Sequence, residues 1–230
     1  MLKQISSSEL FAEYLGSMFL VMAAISSMIL FTSVFGSPKS IAVIANALAV
    51  AFVLIALIEM FAPISGAHFN PVVTLVMFLE KRVTAAKAAL FVFVQIVGGL
   101  TGTALSRLMF LDEVGSIFSV SQIPRTSYVY FGEIFGTFIL VLAILVLVKA
   151  KSIRLPVVVG FLVGGQLLAT SSTMFANPQV TIARIFTNSA AGIRPEDAMI
   201  FIVMQIIGAL LAYVIYRLAF SRSKLDQEGS

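Results

Sequence analysis

Long apolar runs alternate with short polar breaks along almost the whole chain. A helix that spans a bilayer needs about 20 mostly apolar residues, and six runs approach or exceed that length. They cover residues 9–35, 40–61, 83–110, 128–149, 155–173 and 197–220. Two further apolar pieces, 70–79 and 177–187, are too short to span, and each begins with Asn-Pro. The pattern predicts an all-α membrane protein, with the first run kept as a spanning helix because no signal-peptide pattern accompanies it.

Composition strengthens this prediction and narrows the chemistry. The chain is 60% hydrophobic and 11% charged, whereas soluble domains average about 45–50% and about 25%. It has no cysteine and one histidine, so we expect neither a metal site nor another cofactor. No basic cluster alternates with aromatic residues, which argues against nucleic-acid binding. No nucleophile–base pair or phosphate loop is present, so we do not expect an enzyme.

The distribution of positive charge predicts the orientation. With the N-terminus inside, five of the 15 Lys and Arg residues fall on the outer side, and the other ten, which include Lys3, Arg222 and Lys224, fall inside. The outer five are Lys39, Arg107, Arg125, Arg184 and Arg194. This excess satisfies the positive-inside rule. We therefore expect a multi-pass protein of the cell membrane with both termini cytoplasmic.

The two halves of the chain, about 9–110 and 128–222, repeat each other. "AEYLGSMFLV" matches "GEIFGTFILV", "NPVVTL" matches "NPQVTI", and "VQIVGGL" matches "MQIIGAL", in the same order. Each half has three spans, an odd number, so the second copy must enter the membrane from the opposite side. The sequence therefore predicts one transmembrane channel domain over 1–230, built as an inverted-topology repeat.

The paired Asn-Pro sequences have a physical explanation. Asn is a good N-cap and Pro is favoured at the first helical position, so Asn70-Pro71 and Asn177-Pro178 each start a helix about half a membrane long. The inverted repeat makes these half-helices enter from opposite faces and meet near the midplane. Irregular backbone at that depth is tolerated where protein buries it or where it lines a water-filled cavity. Two amides at the meeting point favour the cavity.

"SGAHFNP" and the twin Asn-Pro boxes, together with the repeat, resemble the aquaporin and glycerol-facilitator family over essentially the whole chain. The resemblance implies six spanning helices plus two re-entrant half-helices around one pore per subunit, and a homotetramer. It also implies that Asn70 and Asn177 donate hydrogen bonds to passing solutes. Glu13 and Glu133 would support the backbone around the half-helices, and His68 and Gln179 would line the pore.

The second box departs from the family, in which arginine normally follows Asn-Pro-Ala. Val180 stands at that position, as in a bacterial and archaeal subgroup that has valine there. Gap-free offsets place the other three constriction residues at Val50, Gly165 and Met174. All four are uncharged and non-aromatic, which predicts a wide, apolar filter. Arg184, one turn beyond Val180, either guards the outer mouth or extends to the membrane interface.

These observations predict a passive channel for water and small uncharged solutes that excludes protons and ions. The wide filter favours glycerol-like polyols, urea-like molecules, ammonia or neutral metalloid acids. One alternative is a strictly water-selective pore with an unconventional filter. The other is a secondary transporter with inverted repeats, although such proteins usually bind ions or substrate at midplane carboxylates or unwound helices.

Overall fold

The computed structural model describes residues 5–125 and 127–220, and 77% of these residues are helical. No β-strand occurs in that part of the chain, so the all-α prediction is confirmed. Lys3, Arg222 and Lys224, which contributed to the charge count, and the end of the second repeat half at 222 lie outside the described residues.

The described residues form nine α-helices, and two of these continue into a short π-helical segment. The helices are α1 (Ser7–Ile29, continued by Leu30–Val34), α2 (Lys39–Ser65), α3 (Pro71–Leu79), α4 (Ala85–Met109), α5 (Leu111–Val114), α6 (Ser127–Lys149), α7 (Leu155–Ala169), α8 (Pro178–Ile185) and α9 (Pro195–Ile215, continued by Tyr216–Phe220). Helices α3 and α8 are the two predicted half-helices.

Five helices, α1, α2, α4, α6 and α9, are long and apolar enough to cross a membrane. The run predicted at 155–173 instead forms a helix of 15 residues, α7. This helix ends early because hydroxyl groups take over the backbone beyond it. The Met174 backbone N–H donates to Thr170 Oγ1 at 3.0 Å and to Ser172 Oγ at 3.1 Å, which competes with a continued helix.

Corresponding helices in the two halves make corresponding contacts. Helix α1 packs on α4 as α6 packs on α9, and α3 contacts both α4 and α9 as α8 contacts both α9 and α4. Besides the contacts of α3 with α9 and of α8 with α4, the halves meet through α2 against α7 and through α3 against α8. This is the pairing that the internal repeat predicts for two copies related by a pseudo-two-fold axis.

Small residues allow the helices of each half to pack closely. A Cβ atom at Gly98 would lie 2.4 Å from the backbone oxygen of Tyr14, and one at Gly208 would lie 2.4 Å from that of Ile134. These glycines therefore let α4 touch α1 and α9 touch α6 along their backbones. The close pairs leave space between the halves, where the half-helices lie.

Candidate conduction path

The two half-helices start in the same way. Asn70 and Asn177 are their N-caps, with extended backbones at φ −156°, and a proline follows each at the first helical position. The Asn70 Oδ1 accepts from the Val72 N–H at 3.0 Å, and the Asn177 Oδ1 accepts from the Gln179 N–H at 3.1 Å. Each side-chain oxygen thus satisfies a backbone donor that the first helical turn leaves unpaired.

The amide nitrogens of these caps join the two halves. Asn70 Nδ2 donates to the Ala176 carbonyl and Asn177 Nδ2 donates to the Phe69 carbonyl, both at 2.8 Å. The bonds are reciprocal, so the N-terminal ends of the half-helices face each other. An amide nitrogen carries two N–H groups, and Asn70 Nδ2 and Asn177 Nδ2 each use only one of them within the described residues. Both caps border the central cavity, so one donor of each remains for a solute.

The chain before each cap is held in a strained, alternating conformation. Positive φ angles occur one and three residues before each Asn: 52° at Ala67 and 48° at Phe69, 37° at Met174 and 47° at Ala176. Non-glycine residues rarely adopt these angles, which cost about 1–3 kcal/mol each and concentrate at functional sites. The strained residues occupy matching positions in the two halves, and all four border the central cavity.

Two buried carboxylates stabilise the strained segments. Glu13 is fully buried and accepts from Ser65 Oγ at 2.6 Å and from the backbone N–H groups of His68 at 2.9 Å and Phe69 at 2.8 Å. Glu133, also fully buried, accepts from the N–H groups of Phe175 at 2.9 Å and Ala176 at 2.8 Å. Hydrogen bonds to a carboxylate are roughly twice as strong as neutral ones, so these contacts offset the backbone strain.

A further pair of contacts links each carboxylate to its half-helix. Gln95 Nε2 donates to Glu13 at 2.8 Å and to Thr74 Oγ1 at 3.0 Å. In the second half, the matching glutamine donates to Glu133 at 2.6 Å and to the Thr181 hydroxyl at 2.9 Å. Sequence reasoning missed the two threonines, although both stand four residues after a boxed Asn.

The central cavity runs past both caps and has mostly apolar walls. Helices α2, α6 and α7 contribute the side chains of Val50, Leu54, Leu140, Ile144, Val159, Val163 and Leu167. The polar residues that border it in the described structure are Asn46, His68, Asn70, Asn177 and Arg184. A second cavity shares Ala67, His68 and Val159 with the first and adds Arg82 and Lys87. The two cavities therefore lie next to each other along the same side of the half-helices.

Three of the four residues predicted for the constriction line the central cavity: Val50, Met174 and Val180. Gly165 does not. It is exposed on the outer face of α7, where an added Cβ would meet no atom within 4 Å, and Val163 and Leu167 border the cavity instead. The gap-free offset was therefore wrong for α7, since it selects a residue on the face of the helix that points away from the cavity.

The two other predicted lining residues differ in position. His68 lines both cavities, with its Nδ1 atom 3.1 Å from Thr74 Oγ1 and its ring against the edge of Phe91. Gln179 is fully buried behind the cavity wall, where its Nε2 atom donates to the Phe69 carbonyl at 3.3 Å. A Cβ atom on Gly99 would lie 2.2 Å from the Gln179 Oε1 atom. Gln179 thus packs against α4 and corrects the prediction that it lines the pore.

Arg184 borders the central cavity and is only 4% exposed. Its Nε–H donates to the Ala191 carbonyl, and its guanidinium lies 3.7 Å from the centre of the Phe175 ring. These contacts hold a positive charge one helical turn beyond Val180. The arginine therefore belongs to the wall of the path.

The described geometry defines a membrane protein with a mostly apolar passage that runs past the facing ends of two half-helices. The family model "Major intrinsic protein" matches residues 2–174, and the chain belongs to that family. It is 36% identical over 207 residues to the aquaglyceroporin AqpS of Rhizobium meliloti (strain 1021), covering 90% of this chain and 87% of that one.

Two more distant relatives agree with this assignment. An aquaglyceroporin of Toxoplasma gondii (strain ATCC 50611 / Me49) is 29% identical over 189 residues, covering 79% of this chain and 71% of that one. The X-ray structure of the aquaglyceroporin from Plasmodium falciparum matches with a TM-score of 0.72 at 20% identity, covering 93% of this chain and 96% of that one. The structural likeness supports the fold of spanning helices and half-helices.

Proposed function

We propose that this protein is a passive channel for water and small uncharged solutes such as glycerol. The observation that carries the proposal is the pair of facing amides, Asn70 and Asn177, on an otherwise largely apolar path. The aquaglyceroporin and aquaporin relatives support the same function.

The meeting of two helix N-termini accounts for the exclusion of cations and protons. Each N-terminus carries a partial positive charge of roughly half an elementary charge, and the free amide N–H groups donate hydrogen bonds without accepting them. A hydroxyl or water oxygen is stabilised there. A cation or hydronium ion is repelled and finds no acceptor to replace its hydration shell.

The apolar filter favours solutes larger than water. Val50, Met174 and Val180 offer no charge and no fixed donor, so selection depends on size and on the cost of leaving water. Glycerol, urea-like molecules, ammonia and neutral metalloid acids are small and carry no charge, so we expect them to pass this filter. Leu167, which borders the cavity where Gly165 was expected, makes that wall bulkier than the sequence predicted.

The direct test is stopped-flow light scattering on proteoliposomes that compares water flux with glycerol uptake. We expect fast uptake of both, and we expect Val180→Arg to slow glycerol uptake strongly because it narrows and charges the filter. Val180→Leu is the control for added bulk without charge. Water flux without glycerol uptake would identify a strictly water-selective pore. Uptake that saturates and follows an ion gradient would identify a secondary transporter.

We also propose that the protein lies in the cell membrane as a homotetramer with both termini cytoplasmic, and that it catalyses no reaction. The family consists of channels, and the apolar helices support a multi-pass membrane protein. Native mass spectrometry from detergent or nanodiscs tests the tetramer, and a monomer mass alone would contradict it.

A further inference from the structure

We infer that Arg184 forms a binding site for the carboxyl group of a small monocarboxylic acid, so that the channel conducts such acids and excludes amines of similar size. This inference rests on the proposed function and names a further class of solute for the same path. It follows from the way Arg184 is anchored, from the donors that the anchor leaves unused, and from the sign of every charge along the path.

Arg184 is fixed by contacts that use little of its hydrogen-bonding capacity. A guanidinium group has five N–H donors in a planar fork, and only the Nε–H is bonded, to the Ala191 carbonyl. The Phe175 ring, with its centre 3.7 Å from the guanidinium carbon, holds the plane of the fork. Stacking of this kind attracts the cation without consuming an N–H group.

The terminal nitrogens Nη1 and Nη2 remain available at the cavity. Within residues 5–125 and 127–220, no group accepts a hydrogen bond from either atom, although the side chain as a whole is only 4% exposed. A nearly buried guanidinium with an unused fork is an unsatisfied site, and a planar group with two oxygens fits it with two parallel hydrogen bonds. A carboxyl group has that shape.

The ionisable residues on the rest of the path carry the same sign or none. Besides Arg184, the two cavities are bordered by His68, Arg82 and Lys87, and by no carboxylate among the described residues. Glu13 and Glu133 are fully buried behind the wall, where backbone and glutamine donors occupy them. An ammonium ion therefore meets only repulsion, while an anion is attracted to both ends.

Arg82 provides the positive charge at the inner end. Lys87 is paired with Glu9 at 2.6 Å, which largely neutralises it, whereas Arg82 is exposed and has no ion pair within the described chain. Both residues border the inner cavity. The two unneutralised cations, Arg184 and Arg82, thus stand at opposite ends of the apolar central part.

The apolar centre requires the solute to cross as the neutral acid. A carboxylate attracted to Arg184 takes up one proton from water at the outer end, crosses as R–COOH, and releases that proton into water at the inner end. One acid molecule and one proton move together, so no net charge crosses. Sulfonates and dianions cannot lose their charge in this way near neutral pH, which limits the class to small, otherwise uncharged monocarboxylic acids.

The test uses proteoliposomes of the full chain that contain a pH-sensitive dye. External glycolate at mildly acidic pH should acidify the lumen faster than in protein-free liposomes, while methylammonium should alkalinise it no faster than in those liposomes. Arg184→Gln should slow the glycolate-driven acidification about tenfold, as expected for the loss of one charge-assisted contact. Arg184→Lys, which retains the charge without the fork, should restore part of the rate.

Glycerol uptake by the same vesicles serves as the internal reference. Arg125 also lies over the Phe175 ring, at 5.1 Å, but does not border the central cavity, so Arg125→Gln should leave the ratio of acid flux to glycerol flux unchanged. Equal ratios in wild type and Arg184→Gln, or fast glycerol uptake without acid uptake, would overturn this inference alone. The absence of both water and glycerol flux would overturn the proposed function as well.

Discussion

Gly98 and Gly208 occupy matching positions in the repeat, and they let α4 touch α1 and α9 touch α6. A single added methyl group at either position would disturb the contact. We expect Gly98→Ala and Gly208→Ala to destabilise the protein by about 1–3 kcal/mol each, the usual cost of overpacking, because a Cβ would lie 2.4 Å from a backbone oxygen. Thermal loss of helical circular dichroism in detergent measures the effect.

Gly165 provides the matched control for this prediction. It also lies within a helix, but an added Cβ there meets nothing within 4 Å. Gly165→Ala should therefore leave the thermal midpoint unchanged or raise it slightly, since alanine is the better helix former. A fall as large as that of Gly98→Ala would show that close helix approach is not the reason for the loss.

The carboxylate of Glu13 holds the strained segment before the first half-helix, and its charge is part of that role. Glu13→Gln keeps the shape but turns an N–H₂ group toward backbone donors. Hydrogen bonds to charged groups are worth about 1.5–3 kcal/mol each, so we expect a clear loss of thermal stability and of glycerol flux. Glu9→Gln, at the partly exposed end of the same helix, should change both quantities little.

The sequence identified some of the buried residues around the half-helices and misplaced others. Glu13 and Glu133 were named because the repeat aligns them and because the family resemblance implies a supporting role for both. Gly165 was misplaced and Gln179 was assigned to the wrong side of the wall. Both errors concern which face of a helix a residue occupies. In helices that are apolar all round, hydrophobicity does not distinguish the pore side from the lipid side.

At the scale of elements, Asn70 and Asn177 each cap a half-helix and also donate a hydrogen bond to a carbonyl of the other half. Asn177→Asp keeps an oxygen for the Gln179 N–H, but it loses the donor to the Phe69 carbonyl and adds a negative charge at the midplane. We expect sodium currents in planar bilayers that wild type does not show. Asn177→Ala removes the donor without adding charge, so a similar current from that variant would contradict the electrostatic explanation.

The ends of the elements were predictable where proline or asparagine fixes the backbone and less so elsewhere. Both half-helices begin at the predicted proline, Pro71 and Pro178. The run predicted to end at 173 stops at Ala169, because Thr170 and Ser172 bind the backbone N–H of Met174. Apolar content alone does not show that competition.

For the whole molecule, the excess of positive charge predicts an orientation in the membrane that can be measured directly. The chain contains no cysteine, so single cysteines can be introduced without background. Ile153, 90% exposed between α6 and α7, should react with a membrane-impermeant maleimide only after permeabilisation. Gln122, exposed before α6, should react in intact cells. The reverse labelling pattern would mean that the N-terminus is outside.

The architecture as a whole was predictable because the sequence contains an internal repeat. Spans, half-helices and matching motifs occur in the same order in both halves, and an odd number of spans per half predicts the inversion. The positive φ angles at Ala67 and Phe69, and at Met174 and Ala176, were not predictable, since these residues disfavour that conformation when considered alone. They follow from tertiary contacts with Glu13 and Glu133.

The hydrogen bonds between the two caps have a consequence for synthesis of the chain. They join residues 106 and 108 positions apart, which a ribosome adds in about 5–20 s at about 5–20 residues per second. The first half-helix must therefore wait in the membrane without its partner. Glu13, Ser65, Gln95 and the backbone they hold all belong to the first half. Each half thus carries its own support, and the re-entrant segment is secured before its partner has been synthesised.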